Sequence, residues 1–284
     1  MEIGTVGVVG CGLMGSGIVE TCARAGYWVI VREPTDDLLE RGLSRLRDSL
    51  AKGVQRGKIV QGDADAALAR ISGTTCLEDL AACDLVIEAA VENMALKKEI
   101  FGQLDKICPG HTILASNTSS LCVMEMASAT KRQDKVVGMH FFNPVPVMKL
   151  LEFVRTIATS DETLAVARRF GESLGKTMIT AKDTPGFVVN VLLVPYLLDA
   201  VRLLEHGVAT KEDIDAGMVL GCNHPMGPLT LGDFVGLDTA LFIADAMYEE
   251  FKDSRYAAPP LLRRMVLAGW HGRKTGKGFY DYAK

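Results

Sequence analysis

Residues 138–153 read GMHFFNPVPVMKLLEF. His140 heads an apolar run that two prolines break, and Glu152 follows twelve residues later between Leu151 and Phe153. Ionisable groups in such surroundings are costly unless something pairs with them. An imidazole with an ordinary pKa of about 6.5 accepts a proton at neutral pH. A carboxylate on its other nitrogen fixes the tautomer and stabilises the imidazolium that forms. The pair therefore has the makings of an acid–base device acting on a hydroxyl. Two further residues suit the same chemistry. Ser119 lies in SNTSS (116–120), and Asn190 sits between Val189 and Val191. Their donors can steady charge on a substrate oxygen. Each has an ordinary alternative, since Ser and Asn also serve as turn formers and a lone buried Asn as glue between helices.

A second motif supplies the other half of an alcohol oxidation. VGVVGCGLMGSGI contains Gly10-x-Gly12-x-x-Gly15 directly after an apolar strand-like run and at the start of a helical one. Gly10 permits the tight turn, Gly12 lets the backbone approach a pyrophosphate, and Gly15 allows close helix–strand packing. Leu13 and Met14 then open the helix whose N-terminus faces the negative charge. Glu33 follows at the end of the next strand, where an acid holds the adenine-side ribose. That carboxylate would repel a 2′-phosphate, so NAD is favoured over NADP, although Arg32 and Pro34 flank it. A dinucleotide takes a hydride while His140 takes the proton.

The elements that must position these groups alternate along the chain. Thr5–Val9, Trp28–Arg32, Leu85–Ala89, Thr112–Ser116, Val136–Met139 and Lys176–Thr180 have the texture of strands. Ser16–Ala25, Asp36–Gln55, Met94–Ile107 and Asp161–Leu174 have helical spacing. The alternation implies βαβ units and a mostly parallel sheet. Leu150–Arg155 is a further strand expected to depart from the parallel pattern. A parallel sheet sends the carboxyl ends of its strands to one edge, where ligands bind. The glycine loop, EAAVEN (88–93), SNTSS and HFFN (140–143) all follow strands, so they should converge. Glu92 and Lys97 are then candidates for the nicotinamide-side ribose. Asn117, Ser119 and Asn143 are candidates for the nicotinamide or substrate. From Thr184 the texture becomes helical. A helix is expected from a capping Thr184 and first-turn Pro185 to Gly207, kinked at Pro195. Further helices are expected near 211–221, 228–250 and 259–268. The chain thus divides into a Rossmann-like dinucleotide-binding domain over 1–184 and an all-helical domain over 185–284.

The totals exclude several other classes. A length of 284 residues with 48% hydrophobic and 23% charged content is that of a globular protein. A net charge of −4 argues against a dedicated nucleic-acid binder. Seven cysteines without CxxC pairs, several inside apolar runs such as Cys83 and Cys108, suit buried thiols in a reducing compartment. No metal-ligand spacing is present. A strand-like run soon after Met1 leaves no room for a signal peptide. The longest apolar segment, Phe187–Leu204, contains Asn190, Pro195, Asp199 and Arg202 and reads as a buried helix, not a membrane span. A cytoplasmic protein without membrane or nucleic-acid partners is the expectation.

Taken together, GCGLMGSGI, DLVIEAAVENMALKKEIFGQLD, TILASNTSSL, GMHFFNPVPVMKLLE, PGFVVN, NHPMGPLTLGD and GRKTGKGFYDY make the chain resemble the short-chain (S)-3-hydroxyacyl-CoA dehydrogenase family over residues 10–282. Its bacterial 3-hydroxybutyryl-CoA members resemble it most. The resemblance implies His140 as general base, Glu152 as its orienting partner, and Ser119 and Asn190 as substrate contacts. It adds Lys274 to the cofactor contacts. It also implies that basic residues on the second helix, here Lys52 and Arg56, hold the CoA phosphates. Arg56 stands where lysine is common in the family, and Glu33 where aspartate is usual. The implied activity is NAD-linked interconversion of (S)-3-hydroxyacyl-CoA and 3-oxoacyl-CoA, with short acyl chains, in a homodimer formed through the helical domain. Two rivals are a dehydrogenase of a free sugar acid on the same fold and a non-catalytic, crystallin-like protein.

Overall fold

Strands buried on both faces need apolar side chains at every position, and this chain supplies them. All four residues of Leu85–Glu88 and of Ile113–Ser116 are buried, as are all six of Val136–Phe141. The computed structural model describes residues 2–282. Met1, on which the reading of the leader rests, and the outer limit of the second domain at residue 284 lie outside the described residues. The chain forms two units that meet in sequence at Thr184 and Pro185.

The first unit runs β1 (Thr5–Val9), α1 (Leu13–Arg24), β2 (Trp28–Arg32), α2 (Asp36–Gln55), α3 (Gln61–Leu68), β3 (Ile71–Thr74), β4 (Leu85–Glu88) and α4 (Met94–Ile107). It continues with β5 (Ile113–Ser116), α5 (Val123–Ala127), β6 (Val136–Phe141), β7 (Leu150–Arg155), α6 (Asp161–Ser173) and β8 (Thr177–Lys182). The sheet order is β3-β2-β1-β4-β5-β6-β7-β8. Every neighbouring pair is parallel except β6–β7, so the mostly parallel sheet and the departing strand at 150–155 are both observed.

Side-chain caps start α2, α4 and α6. Thr35, Asn93 and Ser160 each accept a hydrogen bond from the backbone three residues on, satisfying a donor that the helix itself leaves open. α2 buries Gly42, Leu46 and Leu50, a stripe at intervals of four that faces the sheet. β3, α3 and α5 fall outside the expected elements. β3 is a short edge strand with two of its four residues exposed, so it lacks the apolar run that marked the others.

The second unit is helical: α7 (Val189–Glu205), α8 (Lys211–Cys222), α9 (Pro228–Val235), α10 (Leu237–Phe251) and α11 (Pro260–Leu267). Val194, Leu198, Val201, Ala244, Met247 and Tyr256 belong to its core. Two expectations are corrected here. α7 does not begin at Thr184–Pro185, because Gly186 (φ 83°) and Phe187 (φ 50°) adopt left-handed backbone that a helix start cannot contain. The segment expected as one helix over 228–250 is two, broken at Gly236 with φ 102°. No helix among the described residues is long and apolar enough to cross a membrane.

Candidate active site

The carboxyl ends of β1, β2, β4, β5 and β6 share one edge of the sheet, and the glycine loop, Glu33, Glu92, Asn117, Ser119 and His140 follow or end those strands. At β1 the chain turns through Gly10, whose φ of +99° is left-handed. A Cβ at Gly10 would lie 2.6 Å from the Ala89 carbonyl oxygen, and one at Gly15 would lie 1.9 Å from that of Gly10. Around Gly12 there is open space. Gly12 caps α1 without a side-chain acceptor, so the first-turn N–H groups are left for a ligand. This cradle fits a dinucleotide pyrophosphate.

The peptide of Cys11 is gripped from both sides. Its N–H donates to Glu33 Oε1, and its carbonyl accepts from Arg45 Nη1 at 3.0 Å. Arg45 reaches it from α2, where Gly42 packs directly on Cys11. The Cys11 thiol is pushed up to about 11 by burial, reinforced by the neighbouring Glu33 carboxylate, so it is no nucleophile at neutral pH.

From β4 and α4 comes a buried ionic cluster. Lys97 is 1% exposed, and its Nζ lies 2.6 Å from Glu88 Oε1 and 3.0 Å from Glu92 Oε2. Glu92 Oε1 accepts from Thr118 Oγ1 at 2.5 Å and Ser119 N at 2.9 Å, which ties it to the loop after β5. In that loop Asn117 is buried, and its Oδ1 accepts from Phe141 N at 3.0 Å. Asn117 thereby fixes the end of β6 beside His140. Its backbone N–H goes to the Glu88 carbonyl at 2.8 Å.

His140 and Glu152 are register partners across the β6–β7 pair. Nδ1 of the imidazole lies 2.7 Å from Glu152 Oε2, with His140 5% and Glu152 0% exposed. A carboxylate accepts only, so Nδ1 carries the proton and Nε2 is the basic nitrogen. Phe142 packs beside the imidazole with ring centroids 4.5 Å apart. Asn143 is exposed and lines a cleft of about 100 Å³ with Ser16, Glu20, Arg45 and Ser49.

This constellation sets a buried imidazole–carboxylate pair and a glycine turn along one sheet edge. Residues 5–184 match the family description 3-hydroxyacyl-CoA dehydrogenase, NAD binding domain, and residues 186–282 match its C-terminal domain. The chain belongs to the 3-hydroxyacyl-CoA dehydrogenase family. A 3-hydroxybutyryl-CoA dehydrogenase of Mycobacterium tuberculosis is 52% identical over 279 residues, covering 98% of each chain. The mitochondrial hydroxyacyl-coenzyme A dehydrogenase of Sus scrofa is 46% identical, over 98% of this chain and 90% of that protein. The crystal structure of (S)-3-hydroxybutyryl-CoA dehydrogenase from Ralstonia eutropha superposes with a TM-score of 0.94 at 47% identity, covering all of both chains.

In this family member, the remaining predicted residues lie on or beside helical elements. Lys52 is in the last turn of α2 and Arg56 is the residue that caps it, both exposed. Asn190 and Lys274 belong to the second unit. Asn190 is 7% exposed in the first turn of α7. Lys274 pairs with Asp238 at 2.6 Å, and this pairing holds the Asp238 carboxyl below its usual range against the opposing effect of partial burial. Sequence reasoning missed Glu88, Ser116, Thr118 and Arg45. For Glu88 a signal existed: an acid ending the apolar strand DLVIE, nine residues before a lysine. Arg45 looked like one more exposed helix charge, and only the fold brings it to Cys11.

Proposed function

We propose that this protein is an NAD-dependent 3-hydroxyacyl-CoA dehydrogenase that interconverts (S)-3-hydroxybutyryl-CoA and acetoacetyl-CoA. The contact between His140 Nδ1 and Glu152 Oε2 at 2.7 Å carries the reading, because it leaves Nε2 as the base toward the 3-hydroxyl. NAD, when bound, supplies the hydride acceptor. His140 removes the hydroxyl proton, and Glu152 stabilises the imidazolium that results. Ser119 and Asn190 donate to the oxygen and steady its charge in the ketone-reducing direction. The apolar side chains around His140 keep water from the reacting carbon.

Residues 1–184 act as the cofactor domain in this reading and 185–284 as the substrate and dimerisation domain. The pyrophosphate lies on the Gly10–Gly15 loop with Leu13 and Met14, and the adenine-side ribose on Glu33. Glu92 and Lys97 hold the nicotinamide-side ribose. Two of the three Lys97 N–H groups go to Glu88 and Glu92, and among the described residues the third has Ala90 O at 3.5 Å, so a ribose hydroxyl is a better partner. Asn117, Asn143 and Lys274 complete the cofactor contacts. Asn117 acts on the nicotinamide side through the backbone that it fixes. Lys52 and Arg56 offer charge to the CoA phosphates. Leu192, Leu220, Phe234 and Phe242 are exposed apolar side chains of the second unit, and they support a homodimer formed there. The dimer works in the cytoplasm, where the seven free cysteines of each chain stay reduced.

The test follows NADH oxidation with acetoacetyl-CoA and with free acetoacetate, and NAD reduction with gulonate. Turnover of the CoA thioester alone is expected, and a protein inert toward every CoA thioester refutes the proposal. Sedimentation at micromolar concentration should give the mass of a dimer; a monomer removes that part.

A further inference from the structure

The carboxyl end of β4 holds a buried group that proton transfer at His140 does not use. Glu88 is 0% exposed. Its Oε1 accepts from Lys97 Nζ at 2.6 Å and Ala90 N at 2.7 Å, and its Oε2 accepts from Ser116 Oγ at 2.7 Å. Lys97 in turn contacts Glu92, whose side chain is 24% exposed in the loop that follows β4. Two carboxylates share one ammonium, which leaves the trio with one negative charge in excess. Tying β4 to β5 needs only a neutral acceptor. A carboxylate here adds a charge at a desolvation cost, and a charge away from water is felt over a longer range than a solvated one.

We propose that Glu88 is a positioning residue that sets the charge of the cofactor site. It holds Lys97 against Glu92 and keeps the trio net negative, so the site favours the oxidised nicotinamide, whose ring is cationic, over the neutral reduced ring. The inference rests on the reading of Glu92 as a contact of the nicotinamide-side ribose. Contacts to adenine, both riboses and the pyrophosphate are common to the two cofactor forms. They cancel in the ratio of the two dissociation constants, whereas an excess charge does not.

The experiment measures Kd for NAD+ and for NADH on the full chain, the latter by nucleotide fluorescence. Glu88→Gln removes the excess charge and should raise Kd(NAD+)/Kd(NADH) by ~3–10-fold. Lys97→Met doubles the excess and should lower the ratio by a similar factor. A purely structural tie would change both constants together and leave the ratio where it was. Because the two variants move the ratio in opposite directions, either one decides the matter if the other does not fold. A ratio within about twofold of the parent's in a folded variant overturns the inference. Glu92→Gln separates the two readings. It should weaken both cofactor forms, NAD+ the more because it also removes a charge of the trio, and if it leaves both constants unchanged the ribose assignment itself fails. Weakened binding in Glu92→Gln beside a constant ratio in the other variants overturns the role of Glu88 alone.

Discussion

His140 and Glu152 face each other across the one antiparallel pair among the described strands of this sheet, 2.7 Å apart from Nδ1 to Oε2. The reversal of direction makes the contact possible. A parallel neighbour would need a crossover of a dozen or more residues, whereas β6 returns as β7 through a short loop. Directly opposed residues then project from the same face of the sheet. The pairing is thus fixed by backbone register, and the buried carboxylate has little freedom to leave the imidazole.

Replacing His140 by Gln keeps a polar group of similar size but removes the base. We expect kcat to fall by ~10²–10⁴-fold while NADH affinity stays near that of the parent. Stopped-flow or steady-state rates with acetoacetyl-CoA, beside fluorescence titration of NADH, make the comparison. Near-normal turnover would exclude His140 as the proton acceptor.

Asn117 acts on the same base from the other side. Its Oδ1 is the acceptor for the Phe141 N–H, which is buried at the end of β6. Asn117→Ala leaves that donor without its partner, at a cost of about 1–3 kcal/mol in stability. The displaced strand end should lower kcat more than it weakens NADH. Denaturant unfolding gives the first quantity and kinetics the second. An unchanged midpoint would mean that the backbone finds another acceptor.

The architecture was legible in the sequence because apolar runs and caps report it directly. The seven strand-like runs all correspond to strands, including the one at 150–155 that departs from the parallel order. β3 escaped because an exposed edge needs no apolar run, and the start of α7 was misplaced because a Thr-Pro pair imitates a cap where Phe187 turns left-handed. At the candidate site, residue type revealed groups such as His140 and Glu33, whose chemistry is visible alone. It could not reveal Arg45, whose partner lies on another element, and it showed Glu88 only as an acid at a strand end, without its contacts to Lys97 and Ser116. Burial and register create those contacts, and neither is written in local spacing.

Burial also makes the thiols a record of alkaline stability. Desolvation pushes Cys22 up to about 12, with Lys176 opposing, and Cys108 up to about 11, with Arg132 opposing. In the unfolded chain a thiol ionises near its ordinary value of about 8.5. The folded pKa is raised, so the contribution is fully present below the unfolded value and is lost as pH rises through the folded one. Melting temperature should therefore decline as pH increases from about 8.5 to 12, beyond what screening of surface charge explains. Thermal melts across that range in the parent and in Cys22→Ala are the check, with a shallower decline in the variant. Parallel curves would show that this thiol does not couple to unfolding.

In the proposed reading, cofactor choice turns on Glu33. One carboxylate oxygen is already engaged by the Cys11 N–H, so the second is left for a ribose hydroxyl. The carboxylate would repel a 2′-phosphate at that position. Glu33→Ala removes both effects, and NADH affinity should fall by about 1–2 kcal/mol, or roughly 5–30-fold. NADPH loses no hydrogen bond and is relieved of a repulsion, so its affinity should fall less or rise. Arg45 already contacts the glycine loop at Cys11 O and would favour a phosphate once the acid is gone. Titrating both reduced cofactors into the parent and the variant measures the shift. Equal losses for NADH and NADPH would show that Glu33 supports the loop and does not read the ribose.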